Sequence, residues 1–166
     1  MSEISRNNNP CPLAADKDFA KSKHKVLNIY RIIDANLNRA KEGLRVCEEI
    51  TRFILDDRKF TALFKLYRHE IDGIVKKVYP AAKLLGERKS ASDVGRENCR
   101  SELARSGLRD IFWANIQRVK ESLRVLEEFS KLKNRRAALR FKQLRYKVYE
   151  IEKKSFKKIS SLPDLR

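Results

Sequence analysis

Two lines of polar side chains recur at one spacing in the two halves of the sequence. Each line holds an amide, a guanidinium and a carboxylate three residues apart: Asn36, Arg39 and Glu42 in the first half, Asn115, Arg118 and Glu121 in the second. A helical wheel puts Asn36 near the centre of an apolar stripe and Arg39 about 80° from it, so each line runs outward from the core edge. A buried amide without a partner costs about 1–3 kcal/mol, so both halves must satisfy the same demanding set.

Two interpretations of these lines remain open. In one, the asparagines fix helix register and each arginine pairs with its neighbouring glutamate. In the other, the lines converge on a polar pocket where the arginines hold an anion, and Gly43 and Ser122 supply small side chains at matching positions. Arg68 and Arg145 lie beside the apolar stripes of later helices, and guanidinium groups suit bidentate phosphate contacts, which favours the pocket.

A polar stretch between the two halves offers a second set of candidates. The segment GERKSASDVGRENCR contains Arg88, Ser92 and Asp93 beside Gly95. Hydroxyls, an arginine and amides near a glycine could cap a phosphate, and Asp93 could bind Mg²⁺ or accept a proton.

An internal duplication positions these residues. Residues 35–50 and 114–129 are identical at ten of sixteen positions, and Phe64-Lys65 and Arg68 match Phe141-Lys142 and Arg145 downstream. Apolar periodicity predicts helices over 28–55, from the Asp56/Asp57 cap to before Pro80, over 108–132, and from Asn134 onward. The sequence therefore predicts an all-α protein, a duplicated helical hairpin forming a four-helix bundle. We expect a disordered lead over 1–24 and one domain over 25–160, with repeat one at 28–79, a connecting loop at 80–106 and repeat two at 107–159.

Composition narrows the function classes. The 166 residues carry 39 Lys and Arg against 22 Asp and Glu, a formal charge of +17, which attracts anions such as nucleic acid, membrane surfaces or phosphorylated metabolites. The isolated glycines form neither a P-loop nor a dinucleotide-binding turn, and two histidines are too few for a zinc site with these cysteines. No apolar run is long enough to span a membrane, and three unpaired cysteines predict a reducing, cytoplasmic location.

Four segments together resemble a known family. RIIDANLNRAKEGLRVCEEITRFILDD, the SxSDVG loop, ANIQRVKESLRVLEEFSKL and FKQLRYKVYEIEK are similar to the alternative, monofunctional hydroxymethylpyrimidine phosphate kinases. This helical domain also occurs fused ahead of thiamine-phosphate synthase. The resemblance covers about residues 30–155. It implies that the γ-phosphoryl group of ATP, with Mg²⁺, is transferred to 4-amino-5-hydroxymethyl-2-methylpyrimidine phosphate.

The resemblance suggests roles for the candidate residues. Four arginines would bind phosphates: Arg39, Arg118, Arg68 and Arg145. The two asparagines would contact the aminopyrimidine or the carboxylates, and Glu42 and Glu121 would orient arginines or hold Mg²⁺. Asp93 would be the base for the 5-hydroxymethyl group, beside Arg88 and Ser92. The metal ligands stay unassigned.

Other functions and assemblies remain open at this point. A basic helical nucleic-acid-binding protein would explain the charge but not the buried polar lines. A domain that only senses the pyrimidine phosphate would keep the site without turnover, and a chorismate-mutase-like helix would lack the duplication. A homodimer, or fusion to or action with thiamine-phosphate synthase, fits the resemblance. We expect no synthase activity from this chain, because no barrel of about 250 residues follows.

Overall fold

The computed structural model describes residues 29–95 and 105–163, and every regular element in them is helical. The elements are α1 (Ile29–Glu49), a π-helical segment (Ile50–Ile54), α2 (Arg58–Val75), α3 (Ala81–Gly86), α4 (Leu108–Ser130) and α5 (Arg135–Ser160). The predicted all-α class is confirmed. The predicted lead over 1–24 lies outside the described residues.

Each long helix buries one apolar stripe, as its sequence period requires. In α1 the buried stripe is Ile33, Leu37, Ala40, Leu44 and Cys47, and in α4 it is Phe112, Ile116, Val119, Leu123 and Leu126. Two helix starts are capped as predicted. The Asp57 carboxylate accepts a hydrogen bond from the Phe60 amide at 3.0 Å, and the Asn134 side chain accepts one from the Ala137 amide at 2.9 Å.

The two hairpins meet through α1 and α4, which pack against each other more extensively than any other pair of helices among the described residues. Gly43 lies against Asn115 and Val119, and the Cys47 thiol lies 3.9 Å from the Phe112 carbonyl oxygen. Later residues of α1 therefore contact earlier residues of α4, which means that the two helices run antiparallel. Since α1 and α4 are repeat equivalents, an approximate two-fold axis passes through this interface.

Two features differ from the predicted helix pattern. The first helix does not continue as α-helix to residue 55, because from Ile50 it widens into a π-helical segment in which the Leu55 amide bonds the Ile50 carbonyl at 3.1 Å. Ile50 and Thr51 are the buried residues of this segment. The connection between the hairpins is also not structureless, because Pro80 precedes the short helix α3, whose Leu84 is buried.

The start of this connection is tied to the core by Tyr79. Its hydroxyl donates a 2.8 Å hydrogen bond to the Ser130 hydroxyl at the end of α4, and its ring meets Tyr30 edge-on. Residues 96–104 of the predicted loop lie outside the described part of the chain. None of the described helices combines the length and the apolar character that a bilayer-crossing helix needs.

Candidate functional site

Five of the six residues in the two polar lines border one cleft between α1 and α4. Its volume is about 510 Å³. The lining residues are Asn36, Arg39 and Glu42 from α1, and Arg118, Glu121, Ser122 and Val125 from α4. By the register of these contacts Arg39 and Arg118 lie within about one helical turn of each other along the interface, so the cleft lies close to the approximate two-fold axis.

The two arginines of the cleft have no acidic partner among the described residues. Both are exposed, and neither Arg39 nor Arg118 forms an ion pair or hydrogen bond with any residue in the described ranges. Glu42 likewise has no ion pair there, and Glu121 accepts a hydrogen bond only from Gln117, at 2.7 Å. The register interpretation required each arginine to pair with its neighbouring glutamate, and that pairing is absent from the described residues. The cleft therefore presents two available guanidinium groups to an anion.

The side-chain NH2 group of each asparagine donates a hydrogen bond within its own helix. The Asn36 Nδ2 donates to the Ile32 carbonyl at 2.9 Å, and the Asn115 Nδ2 donates to the Ile111 carbonyl at 2.8 Å. No described residue donates to the Asn36 Oδ1, and Asn36 lines the cleft. This buried side chain thus offers an acceptor to an N–H group of a ligand.

The repeat is symmetric in sequence but the cleft is not. A Cβ added at Gly43 would lie 2.7 Å from Val119 Cγ2 and 2.9 Å from the Asn115 carbonyl oxygen, so the backbones touch there. Gly43 is therefore used for close helix contact, whereas the matching Ser122 lines the cleft. Asn115 is not among the cleft residues, because the close contact at Gly43 occupies its end of the interface.

Arg68 and Arg145 do not reach the cleft, contrary to the expectation that four arginines gather there. Arg68 binds the buried Glu48 carboxylate, with Nη2–Oε2 at 3.0 Å, and Arg145 binds Glu127, with Nη2–Oε2 at 2.7 Å. These repeat-equivalent pairs join the two helices within each hairpin. Burial alone would lower the pKa of Arg145, but hydrogen bonds to Glu127 and the Tyr149 hydroxyl outweigh it and raise that pKa.

The predicted loop residues lie against the early part of α1. Arg88 forms two 2.7 Å hydrogen bonds to the buried Asp34, and these bonds raise the pKa of the exposed guanidinium. Asp93 accepts a hydrogen bond from the Gly95 amide at 3.1 Å, and its Oδ1 lies 3.8 Å from the Arg31 Nη2. Arg31 precedes Arg39 by about two helical turns, so Asp93 is outside the cleft. Ser92 is exposed and is not a cleft residue either.

Three buried carboxylates were missed from the sequence: Glu48, Glu127 and Asp34. The signal for the first was present, since Glu48 follows Leu44 by four residues and shares its stripe, and Glu127 repeats it. Within residues 29–95 and 105–163, no three acidic, His or Cys side chains cluster as a protein-only metal site. Mg²⁺ usually binds through one or two carboxylates together with substrate phosphates, and the two cleft glutamates fit that use.

The fold and the cleft define a class: an all-α protein made of two duplicated hairpins, with an arginine-lined cleft at the interface between the halves. The ThiD2 family model matches residues 31–154. The chain belongs to the ThiD2 family.

Several curated relatives are named thiamine-phosphate synthase. The protein from Nostoc sp. (strain PCC 7120) is 40% identical over 125 residues, which is 75% of this chain and 34% of the relative. The protein from Synechocystis sp. (strain PCC 6803) is 41% identical over 125 residues, 75% of this chain and 35% of the relative. The protein from Rhodopirellula baltica is 37% identical over 122 residues, 73% of this chain and 32% of the relative. The chain thus spans about a third of the length of these relatives, and no solved structure matches it.

Proposed function

We propose that this chain acts in thiamine biosynthesis as a kinase. It transfers the γ-phosphoryl group of ATP to 4-amino-5-hydroxymethyl-2-methylpyrimidine phosphate, giving the pyrophosphate and ADP. The observation that carries the proposal is the pair Arg39 and Arg118, which line one cleft from opposite halves without a carboxylate partner among the described residues. The family membership and the anion-suited charge support it.

The proposed phosphoryl transfer requires groups that stabilise negative charge, and it does not require a general base. An oxygen of the acceptor phosphate attacks the γ-phosphorus, a P–O–P bond forms, and the bond from the γ-phosphorus to the β,γ-bridging oxygen breaks as ADP leaves. A phosphate monoester has a second pKa near 6, so the attacking oxygen is already deprotonated at neutral pH. The 5-hydroxymethyl oxygen is esterified in this acceptor, and the role of Asp93 as its base is therefore withdrawn.

The cleft residues divide the remaining work. Arg39 and Arg118 hold the reacting phosphates in line and stabilise the charge on the transferred group. The Asn36 Oδ1 accepts a hydrogen bond from the 4-amino group of the pyrimidine, and Val125 provides apolar contact for its ring. Glu42 and Glu121 would hold Mg²⁺, which neutralises phosphate charge when bound. The pyrophosphate is a suitable substrate for a thiamine-phosphate synthase, the activity after which the relatives are named.

A coupled assay of ADP release tests the activity. The purified chain is given ATP, Mg²⁺ and the pyrimidine monophosphate, with the unphosphorylated pyrimidine alcohol as the control acceptor. We expect turnover with the monophosphate and none with the alcohol, because the reaction needs a phosphate oxygen as nucleophile. Binding of the monophosphate without any ADP release would identify a sensing domain instead.

Substitution of Arg118 links that activity to the cleft. Removing a group that stabilises a transferring phosphoryl costs about 100-fold or more in rate, so Arg118→Ala should lose at least that much. Because Arg118 is exposed and has no partner among the described residues, helical circular dichroism and the melting temperature should stay near wild type. Arg136→Ala, an exposed arginine of α5, is the matched control and should keep full activity. A collapsed fold in Arg118→Ala would restore the register interpretation.

The same preparation tests the nucleic-acid alternative. A phosphate-backbone reader would bind duplex DNA with an affinity that falls steeply with salt, and it would ignore the pyrimidine phosphate. We expect the reverse: weak, salt-sensitive DNA binding that Arg118→Ala does not change, and a pyrimidine phosphate response that it abolishes.

A further inference from the structure

The second half of the molecule carries an aromatic groove that the proposed phosphate chemistry does not use. Its volume is about 630 Å³. We define it by its lining residues, Trp113 of α4 and Tyr149, Glu152, Lys153 and Phe156 of α5. The α5 residues recur at three, four and seven positions, so they share one face of that helix.

Two of the three rings in this groove are exposed, whereas Trp113 is half-buried against the core. The Tyr149 ring also has the Arg145 guanidinium at 5.5 Å and the Tyr146 ring at 5.7 Å from its centroid. Phe156 is 58% exposed and Tyr149 is 37% exposed. The Trp113 and Phe156 ring centroids are 5.6 Å apart with the planes tilted by 40°, and both rings face the groove. Exposed aromatic faces beside one another are a stacking platform for a flat ring.

The duplication shows that the groove is a specialisation of one half. The repeat equivalent of Trp113 is Asp34, and the equivalent of Tyr149 is Asp72. Asp34 is bound by Arg88 at 2.7 Å, and Asp72 is bound by Lys41 at 2.6 Å. At these two positions the first half carries ion-paired carboxylates where the second half carries aromatic rings, whereas Phe156 matches Tyr79, whose ring is buried in the core. A structural requirement common to both hairpins would not produce this difference.

The groove is continuous with the cleft. A shallow surface lined by Gln117, Lys120 and Arg124 shares Glu121 and Val125 with the cleft. The same surface shares Tyr149 with the aromatic groove. From Trp113 to Arg118 the path runs about 140° around α4 and about 7.5 Å along it, roughly 14 Å over the surface of a helix of this diameter. A triphosphate and a ribose can span that distance.

Two basic side chains border the path, and a polyphosphate would exchange their present carboxylate partners for phosphate oxygens. Lys120 lies 6.0 Å from the centroid of the Tyr149 ring and pairs with Glu152 at 2.7 Å. Arg124 pairs with Glu127 at 3.2 Å and with Glu128 at 2.7 Å. These cations border the route by which phosphates would pass from the rings to Arg118.

We infer that the aromatic groove binds the base of the nucleotide donor, with its triphosphate crossing α4 into the cleft. The inference rests on the proposed kinase function and assigns the donor to the second half of the molecule, so that the pyrimidine phosphate occupies the cleft beside Asn36. The base stacks on Tyr149 and Phe156, near Trp113.

The single tryptophan of the chain, Trp113, provides a direct readout. ATP and inorganic tripolyphosphate are titrated separately into the full chain while its fluorescence is recorded. We expect ATP to quench Trp113 and to bind more tightly than tripolyphosphate, which has no base to stack. Base–aromatic stacking on this scale changes affinity by about tenfold, so Tyr149→Ala should weaken ATP binding by about that factor and leave tripolyphosphate unchanged.

Two variants separate stacking from structural effects. Tyr149→Phe keeps the ring and loses the hydroxyl that accepts from Arg145 at 2.8 Å, and it should bind ATP like wild type. Phe53→Ala removes an aromatic ring that is 62% exposed and lies outside the groove, and it should change neither titration.

The outcomes distinguish this inference from the proposed function. Equal quenching by ATP and tripolyphosphate, or unchanged ATP affinity in Tyr149→Ala, would overturn the base site even if the kinase assay succeeds. Base-dependent quenching that Tyr149→Ala weakens, without any kinase activity, would support the base site and refute the kinase.

Discussion

Replacement of Gly43 by alanine probes the contact that sets the shape of the cleft. The new Cβ would lie 2.7 Å from Val119 Cγ2 and 2.9 Å from the Asn115 carbonyl oxygen. The valine methyl can turn aside, but the carbonyl oxygen belongs to the α4 backbone and moves only with the helix. Gly43→Ala must therefore push α1 and α4 apart.

The magnitude follows from two opposing terms. Alanine gains about 1 kcal/mol over glycine inside a helix. Forcing a methyl group into a packed interface costs about 1–3 kcal/mol. Because the clash includes backbone, we expect the cost to exceed the gain and the free energy of unfolding to fall by up to about 2 kcal/mol. Kinase activity should fall as well, since the arginines of the two helices would no longer stand at their native separation.

Gly73→Ala is the matched control for urea unfolding. Gly73 lies in the last turn of α2, and its added Cβ would meet only the Arg140 Nη2 at 3.9 Å, an ordinary contact. That variant should be unchanged or more stable by up to about 1 kcal/mol, with normal activity. The two variants should thus differ by about 1–3 kcal/mol at equal m-value. If Gly43→Ala proved as stable and as active as Gly73→Ala, the close approach of α1 and α4 would be refuted.

Three further predictions concern buried groups and caps. Glu127→Ala leaves the Arg145 charge buried without its carboxylate and should lower the unfolding free energy by about 3–5 kcal/mol, which Glu127→Leu with Arg145→Met should largely recover. The hydrogen bond from Lys158 lowers the pKa of Asp57, so its stabilisation is present above about pH 4 and is lost as the pH falls through the lowered value; Asp57→Asn should unfold with a weaker acid dependence. Burial raises the pKa of the Cys47 thiol well above its usual range, so Cys47 in the native protein should resist iodoacetamide at pH 8 and should react once the protein is unfolded in urea.

Each of these predictions can be contradicted by one result. A small loss of unfolding free energy in Glu127→Ala would show that the Glu127–Arg145 pair is solvated. An acid dependence of unfolding in Asp57→Asn equal to that of wild type would show that the Lys158–Asp57 contact does not stabilise the fold. Rapid labelling of Cys47 in the native chain, followed by mass spectrometry of its peptide, would mean that the α1 stripe opens readily.

Much of the fold could be predicted because the sequence repeats its own helical period. The apolar stripes of α1 and α4, the caps at Asp57 and Asn134, and the all-α class follow from spacing and residue type alone. Periodicity does not register a local widening of the helix, so the π-helical segment was not predicted. The short helix α3 was missed, although Pro80 before an AAKLL run is a start signal.

The site was predictable only in part. A helical wheel shows on which face of its own helix a residue lies, but it does not show which other helix packs against that face. It put Arg39 and Arg118 beside the apolar stripes, and in the structure both residues line the cleft between α1 and α4. The same reasoning placed Arg68 at the seam, but the side chain turns to Glu48 within its own hairpin. The asymmetry at Gly43 depends on backbone approach in three dimensions, which one sequence does not contain.

A double-mutant cycle on Arg39 and Arg118 tests the central claim most directly, that the two halves of the molecule act on one phosphorylated ligand. The measured quantity is kcat/KM for the pyrimidine monophosphate in wild type, Arg39→Ala, Arg118→Ala and the double variant. Groups that act as a unit on one ligand give non-additive effects. We expect each single variant to lose about 100-fold or more, and the double variant to lose far less than the product of the two. Two fully multiplicative effects, or wild-type activity in either single variant, would contradict a shared site between the hairpins.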